Sequence, residues 1–240
     1  MARVRVDVSA GKPTMDWRDV HGPARPVLYR LIGAKEPDLA RQLHDEGWQG
    51  STLRPAGISP PLFTGAAQRH GVYTTSGSGS VWFGSPVPRI ATALLRAISE
   101  VGELRWGGSR LVVQGTDLEW ADHSSGNAVF QTVSPVLVKR ESRFLLPGDD
   151  GFTDRLEHNL RHKADVLGLP SEVSVEVLDA GPRRVFDVAG AKRVGANARL
   201  RIVAAPVLLD ALYDWGLGLN NVQGFGWVKL PCRPSPPGSC

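Results

Sequence analysis

The spacing of apolar residues switches between the period of a strand and that of a helix in a fixed order, and that order runs through the chain twice. RVRVDV at residues 3–8 alternates charged and apolar side chains, the pattern of a strand with one wet face. After the turn-prone GKPT, Val27, Leu28, Leu31 and Ile32 share a helical face. Pro37 opens a second short helix with Leu39, Ala40 and Leu43 at helical spacing, and Gly47 is placed to end it. Residues 50–65 carry Pro55, Pro60 and Pro61 and read as loop or edge strand. GVYTTSGSGSVWFG reads as two strands around a Ser/Gly turn. Pro88 begins an amphipathic helix with Ile90, Ala93, Leu94, Ala97, Ile98 and Val101 on one side, and SRLVVQGTDLEW returns to strand character.

The second half repeats the order. FQTVSPVLVKRE gives a strand, DDGFTDRLEHNLRHKADVLG a helix and VSVEVL a strand. VFDVAGAKRVGANARLRIVAA gives a strand pair, PVLLDALYDWGLG a helix and GFGWVKL a closing strand. Strand, helix, strand, strand, helix, strand is the split order of a ferredoxin-like unit. The expected architecture is therefore α+β, with two tandem ferredoxin-like (RRM-like) domains built on antiparallel sheets. They span residues 1–123 and 124–230, join near HSSGNA, and are followed by a disordered tail at 231–240.

The 240 residues are enough for one large domain or two of about 100. A hydrophobic fraction of 42% and a charged fraction of 22% exclude wholesale disorder, a collagen-like chain and a coiled coil. The formal net charge of +4 favours an anionic partner through long-range attraction without identifying it. Cys232 and Cys240 both lie in PCRPSPPGSC, so they cannot staple a core, and no structural metal is expected. No run approaches the roughly 20 apolar residues that cross a bilayer, and no signal region precedes the first strand. The expectation is a protein of the reducing cytoplasm with no membrane partner.

Among groups able to carry chemistry, His44 lies in the last turn before Gly47. A helix C-terminus stabilises positive charge by about 0.3 to 1 kcal/mol, which suits an imidazole to proton transfer near neutral pH. A lone histidine is more often a surface or packing residue, so context must decide. His158 and His162 stand four residues apart, but Glu157 and Arg161 beside them fit a solvated helix face as well as a metal site. GLGLNNVQGFGWV concentrates Gly216, Gly218, Gly224 and Gly226 between a helix and a strand. Its backbone N–H groups either cradle an anion or simply make the connection, and neither a Walker loop nor a dinucleotide fingerprint is present. Arg183, Arg184, Lys192, Arg193, Arg199 and Arg201 cluster around the second strand pair, with Asp187 as the acid among them. Such a run is a solvated face or a basic ribbon that grips an RNA groove in a salt-sensitive way. Trp82, Phe83, Trp106 and Trp120 either stack on bases or fill the core.

Four separated pieces carry a family resemblance: the segment from Tyr29 to His44 with EPDLARQLHDEG, the PRIATALLRAI helix after a strand pair, the TVSPVLV strand, and the terminal GLGLNNVQGFGWV. In this order they resemble the CRISPR-associated repeat-RNA endoribonucleases of the repeat-associated mysterious protein superfamily, and they extend over nearly all of residues 1–230. The resemblance implies cleavage of CRISPR precursor RNA within the repeat by 2′-hydroxyl attack, without metal or other cofactor, giving a 2′,3′-cyclic phosphate and a 5′-hydroxyl. It implies that His44 is catalytic and that Tyr29 assists. Members often add a lysine shortly after the histidine, whereas WQGSTLRP offers Arg54 as its cation. Repeat RNA is the implied partner, held by Arg183, Arg184, Lys192, Arg193 and Arg199 and approached by the glycine-rich loop. The missing lysine favours an alternative, a non-catalytic RNA-binding subunit that joins other subunits of a CRISPR effector complex.

Overall fold

The computed structural model describes residues 3–66 and 72–230. Its first half runs β1 (Arg3–Ala10), β2 (Thr14–Met15), α1 (Trp17–His21), α2 (Ala24–Lys35), α3 (Pro37–Asp45), β3 (Gly57–Ile58), β4 (Leu62–Phe63), β5 (Tyr73–Thr74), β6 (Gly79–Gly84), α4 (Pro88–Ile98), β7 (Glu103–Trp106) and β8 (Ser109–Glu119). β1 is central because its alternation works on one face: Val4, Val6 and Val8 are buried. It pairs antiparallel with β6 on one side and β8 on the other, and the sheet reads β3-β6-β1-β8-β7 with β4 also on β6. Val27, Leu28 and Ile32 of α2 and Ile90 and Leu94 of α4 close the core over Val6, Val81 and Phe83. Both helices begin or continue from the apolar spacing seen in the sequence, and Pro88 stands at the first turn of α4, where its missing N–H leaves no bond unmade.

The second half runs β9 (Asn127–Thr132), β10 (Val138–Arg140), β11 (Arg143–Leu145), α5 (Phe152–Leu167), β12 (Val173–Ala180), β13 (Arg184–Val188), β14 (Ala191–Gly195), β15 (Ala198–Ala204), α6 (Pro206–Trp215) and β16 (Val228–Lys229). Its main sheet reads β12-β15-β9-β16, antiparallel at each pairing. Phe152, Leu156 and Leu160 of α5 and Leu208, Leu209 and Leu212 of α6 pack on Phe130, Leu200 and Ile202. In both sheets the first and third strands of the repeated motif are central and the second and fourth flank them. This is the ferredoxin-like order twice over.

Local pairing departs from the sequence reading in three places. Tyr73–Thr74 does not form a hairpin with Gly79–Gly84; it pairs with β2, while β6 joins the main sheet. FQTVSPVLVKRE is not one strand, because the chain bends at Val133 and Ser134, just before Pro135, and separates β9 from β10. The second strand pair is three strands: β13 and β14 form a separate hairpin, and β15 belongs to the main sheet. The tail at 231–240, with Cys232 and Cys240, and His70 lie outside the described residues.

Polar groups buried between the halves tie them together. Arg3 on β1 donates to the Val228 carbonyl at 2.5 Å and stacks 3.7 Å from the Tyr213 ring centroid. His21 at the end of α1 stacks on Phe225 at 4.0 Å, meets Phe186 edge-on, and contacts the Gln223 carbonyl through Nδ1 at 3.1 Å. Burial holds its pKa down to about 4, so the ring is neutral. Within the second half, Lys163 Nζ on α5 donates to the Gly216 carbonyl and to Asn221 Oδ1, both at 2.7 Å, over the Trp215 ring.

Asp214 is buried and its two carboxylate oxygens have no hydrogen-bond partner among the described residues. Burial pushes its pKa up to about 7 from 3.8. The folded state therefore holds a proton between about pH 4 and 7 that the unfolded chain has released, and stability falls as pH rises through that window. Asp214→Asn is expected to be more stable than the parent by about 2 to 4 kcal/mol above pH 7, with the gap closing toward pH 4. Chemical denaturation at both ends of the range checks this, and a pH-independent gap would contradict it.

Candidate active site

The end of α3 is shaped by a tight return of the chain. Gly47 has φ +90°, and a Cβ there would lie 2.1 Å from the Ser51 carbonyl, so only glycine fits. The Trp48 N–H donates to the carbonyls of Ser51 and Leu53, and the loop comes back along the helix it has just left. This brings the Arg54 guanidinium onto the open carbonyl end of α3. Its Nε donates to Leu43 and its Nη2 to His44, each at 2.8 Å, while Nη1 donates to Thr52. Arg54 is thus a C-cap whose charge sits where the helix dipole favours it. Three of its five N–H groups are spent on backbone carbonyls at the end of α3 and in the loop that follows.

Tyr29, fifteen residues earlier, reaches the same spot from α2. Its hydroxyl donates to the Leu43 carbonyl at 3.3 Å, and its ring meets that of His44 edge-on, centroids 5.4 Å apart. Burial raises its pKa against the pull of Arg54 and Arg25, so the phenol keeps its proton at neutral pH. The Arg25 guanidinium lies 5.6 Å from the Tyr29 ring centroid. The His44 side chain is 57% exposed, and its Nδ1 is 2.8 Å from Asp45 Oδ1. A carboxylate at Nδ1 fixes the proton there and leaves Nε2 for exchange with a bound molecule. Asp45 and Arg25 escaped the sequence reading. The signals were present: Asp45 directly follows the histidine in LHD, and Arg25 stands one helical turn before Tyr29.

Across from this cluster lies the loop after α6. Thr52, Leu53 and Arg54 form one wall of a cleft of about 270 Å³, and Trp215, Gly218, Leu219, Asn220, Asn221 and Val222 form the other. The structure therefore brings the His44 region and the glycine-rich stretch together. It does so without presenting the glycines as an anion cradle. Gly216, Gly218, Gly224 and Gly226 are all buried with positive φ. The N–H groups of Gly216, Gly224 and Gly226 donate to Leu212, Asn221 and Pro135 within the fold. A Cβ at Gly218 would stand 2.5 Å from the Leu137 carbonyl, so these glycines serve close backbone packing, and Leu219 and Asn220 face the cleft.

The basic run divides. Arg184, Lys192 and the adjoining Arg183 are exposed on the β13–β14 hairpin and Arg193 is half-buried there, while Phe186 and Val188 anchor the hairpin inward in a small core with Leu137 and Phe225. Arg199 is exposed on β15, and Arg201 pairs with Glu176 across the main sheet. None of these side chains lines the cleft beside Arg54. Of the aromatic residues, Phe83 and Trp106 are core, Trp82 is half-buried and donates to Glu119, and Trp120 is 72% exposed. Among the described residues no group of three His, Cys, Asp or Glu side chains is placed to hold a metal ion, and His158 and His162 are exposed on α5.

Comparison with known proteins bears on this arrangement. Residues 119–230 match the family described as CRISPR associated protein Cas6, C-terminal. The chain is 27% identical over 216 residues to the CRISPR-associated endoribonuclease Cas6 of Pyrococcus furiosus, covering 85% of this chain and 79% of that protein. Two solved structures share the fold. The product of a Cas6-related gene from Pyrococcus furiosus superposes with a TM-score of 0.82 at 18% identity, covering 97% of this chain and 99% of that one. A RAMP protein that binds different RNA substrates superposes with a TM-score of 0.80 at 21% identity, covering 96% and 100%. The family match over the second half, the sequence relationship along most of the chain and the doubled ferredoxin-like topology together make this chain similar to Cas6 proteins in both sequence and fold.

Proposed function

We propose that this chain binds CRISPR repeat RNA and cuts it within the repeat by attack of the RNA's own 2′-hydroxyl, without a metal ion. The observation that carries the reading is the side-chain set at the end of α3: an exposed imidazole with Nδ1 on a carboxylate and a protonated phenol against its edge, next to Arg54, which itself lines a cleft. The sequence relationship to a Cas6 endoribonuclease supports the choice of RNA as substrate.

In the reaction the 2′-oxygen bonds to the adjacent phosphorus and the bond from phosphorus to the 5′-oxygen breaks. The 2′-hydroxyl gives up a proton and the leaving oxygen takes one. His44 Nε2 makes one of these transfers and water makes the other, a contribution of about 10² to 10⁴ in rate. Asp45 holds the tautomer that leaves Nε2 free. Tyr29 donates to or positions the phosphate, exchanging its present bond to the Leu43 carbonyl for one to a phosphate oxygen. Arg54 acts through the backbone, fixing the last turn on which His44 stands. Holding the ribose and phosphate in line supplies a further part of the acceleration, since well-oriented intramolecular groups reach effective molarities of about 10⁵ M or more.

The basic hairpin and Arg199 grip the RNA away from the cut, and the loop bearing Leu219 and Asn220 walls the strand at the cleft. The test is end-group analysis of repeat RNA after incubation with the protein: a 2′,3′-cyclic phosphate upstream and a 5′-hydroxyl downstream are expected. A 3′-hydroxyl with a 5′-phosphate would exclude 2′-hydroxyl attack.

A further inference from the structure

A second cleft adjoins the first. It measures about 220 Å³ and is lined by Lys139, Arg155, His158 and His162, with Thr52, Leu53 and Leu219 as the wall it shares with the cleft beside Arg54. The four basic or titratable groups come from one turn-to-turn face of α5 and from β10. Arg155, His158 and His162 recur at helical spacing, so all three point to the same side. The Arg155 Nε donates to the Lys139 carbonyl at 2.9 Å, which holds the guanidinium over β10 and leaves its terminal nitrogens for another acceptor. No acid lines this cleft. Glu157, the neighbouring carboxylate on α5, is turned away and accepts from the Val175 N–H and from Arg161.

We propose that this face of α5, with Lys139, is a second site for the RNA phosphodiester backbone, continuous with the cleft that Arg54 lines. The inference rests on the RNA-cleavage reading and extends it to residues outside the basic hairpin. A strand seated against Thr52 and Leu219 has to leave that cleft in some direction, and the adjoining one offers it two cations, a hydroxyl and an amide with no acid among its lining residues. The site carries no base-reading arrangement, so it contributes affinity and alignment and not sequence choice.

The test is the double variant Lys139→Gln, Arg155→Gln, whose side chains are exposed and whose neutralisation leaves the core intact. Repeat-RNA affinity is measured across a salt series, together with the single-turnover rate at saturating RNA. The expected result is an affinity lower by about tenfold at low salt, with the slope of log affinity against log salt smaller by roughly 0.7 to 0.9 for each lost phosphate contact. As a control, Arg96→Gln with Arg105→Gln removes the same charge from residues that line neither cleft and should change affinity far less. Parent-like affinity and slope in the α5 double variant, or an equal loss in the control pair, would overturn the proposal. A parent protein that binds repeat RNA but never cuts it would overturn the cleavage reading alone, because the salt slope still reads the second site.

Discussion

With His44 replaced by alanine, the rate of repeat-RNA cleavage should fall about 10²- to 10⁴-fold, the contribution of a positioned acid or base. RNA affinity and thermal stability should stay close to those of the parent. The separation follows from geometry. The His44 side chain stands largely in solvent, makes its polar contact to the neighbouring Asp45, and buries nothing that the fold needs. Surface substitutions of this kind change stability by no more than about 0.5 kcal/mol. Single-turnover rates and a binding isotherm on the same RNA check both halves of the expectation. Unchanged cutting by the variant would remove His44 from the mechanism, and lost binding would make it a docking residue.

Gly226→Ala should produce the largest loss of stability among single substitutions in the terminal loop. A Cβ at this position would lie 1.9 Å from the Leu217 carbonyl oxygen, and the residue has φ +66°. The neighbour is backbone, tied by the Leu217 N–H to the Gly226 carbonyl at 2.8 Å, so it cannot step aside without opening the loop. Overpacking costs about 1 to 3 kcal/mol and the left-handed conformation about 1 to 2 kcal/mol more. At roughly 2 to 4 °C per kcal/mol for a chain of this size, Tm should drop by about 10 °C. Gly50 gives the comparison, since its φ is +79° and nothing lies within 4 Å of its added Cβ. Gly50→Ala should cost only the conformational part, and equal losses from the two substitutions would contradict the packing account.

The doubled fold was legible because its signal is periodic and its layers are simple. Val4, Val6 and Val8 alternate along β1, and the stripe from Ile90 to Ile98 needs one buried side, so both elements could be read without knowing their neighbours. Pairing partners were less legible because they depend on chain geometry at a distance. Nothing local told Tyr73–Thr74 to seek β2 across the sequence and not the adjacent Gly79–Gly84. The glycine-rich loop shows the same limit. Four glycines in a connection mark close approach of backbone, but sequence does not say to what, and here the approach is to Leu137, Leu217 and Pro135 inside the fold. Arg54 was legible as a cation near His44; its service as a C-cap depends on the return of the chain at Gly47. Lys163 fell out of view altogether, since a lysine in a charged helix reads as solvent-facing until its ammonium is found on Gly216 and Asn221.

The central claim is that side chains of this protein, with the RNA's own hydroxyl, complete the cut without a metal. It is tested most directly by the single-turnover rate of repeat-RNA cleavage in excess EDTA, set against the rate in magnesium. The account predicts equal rates with a cyclic phosphate in both. Cleavage that stops in EDTA and returns on adding magnesium to a protein of unchanged fold and RNA affinity would contradict it.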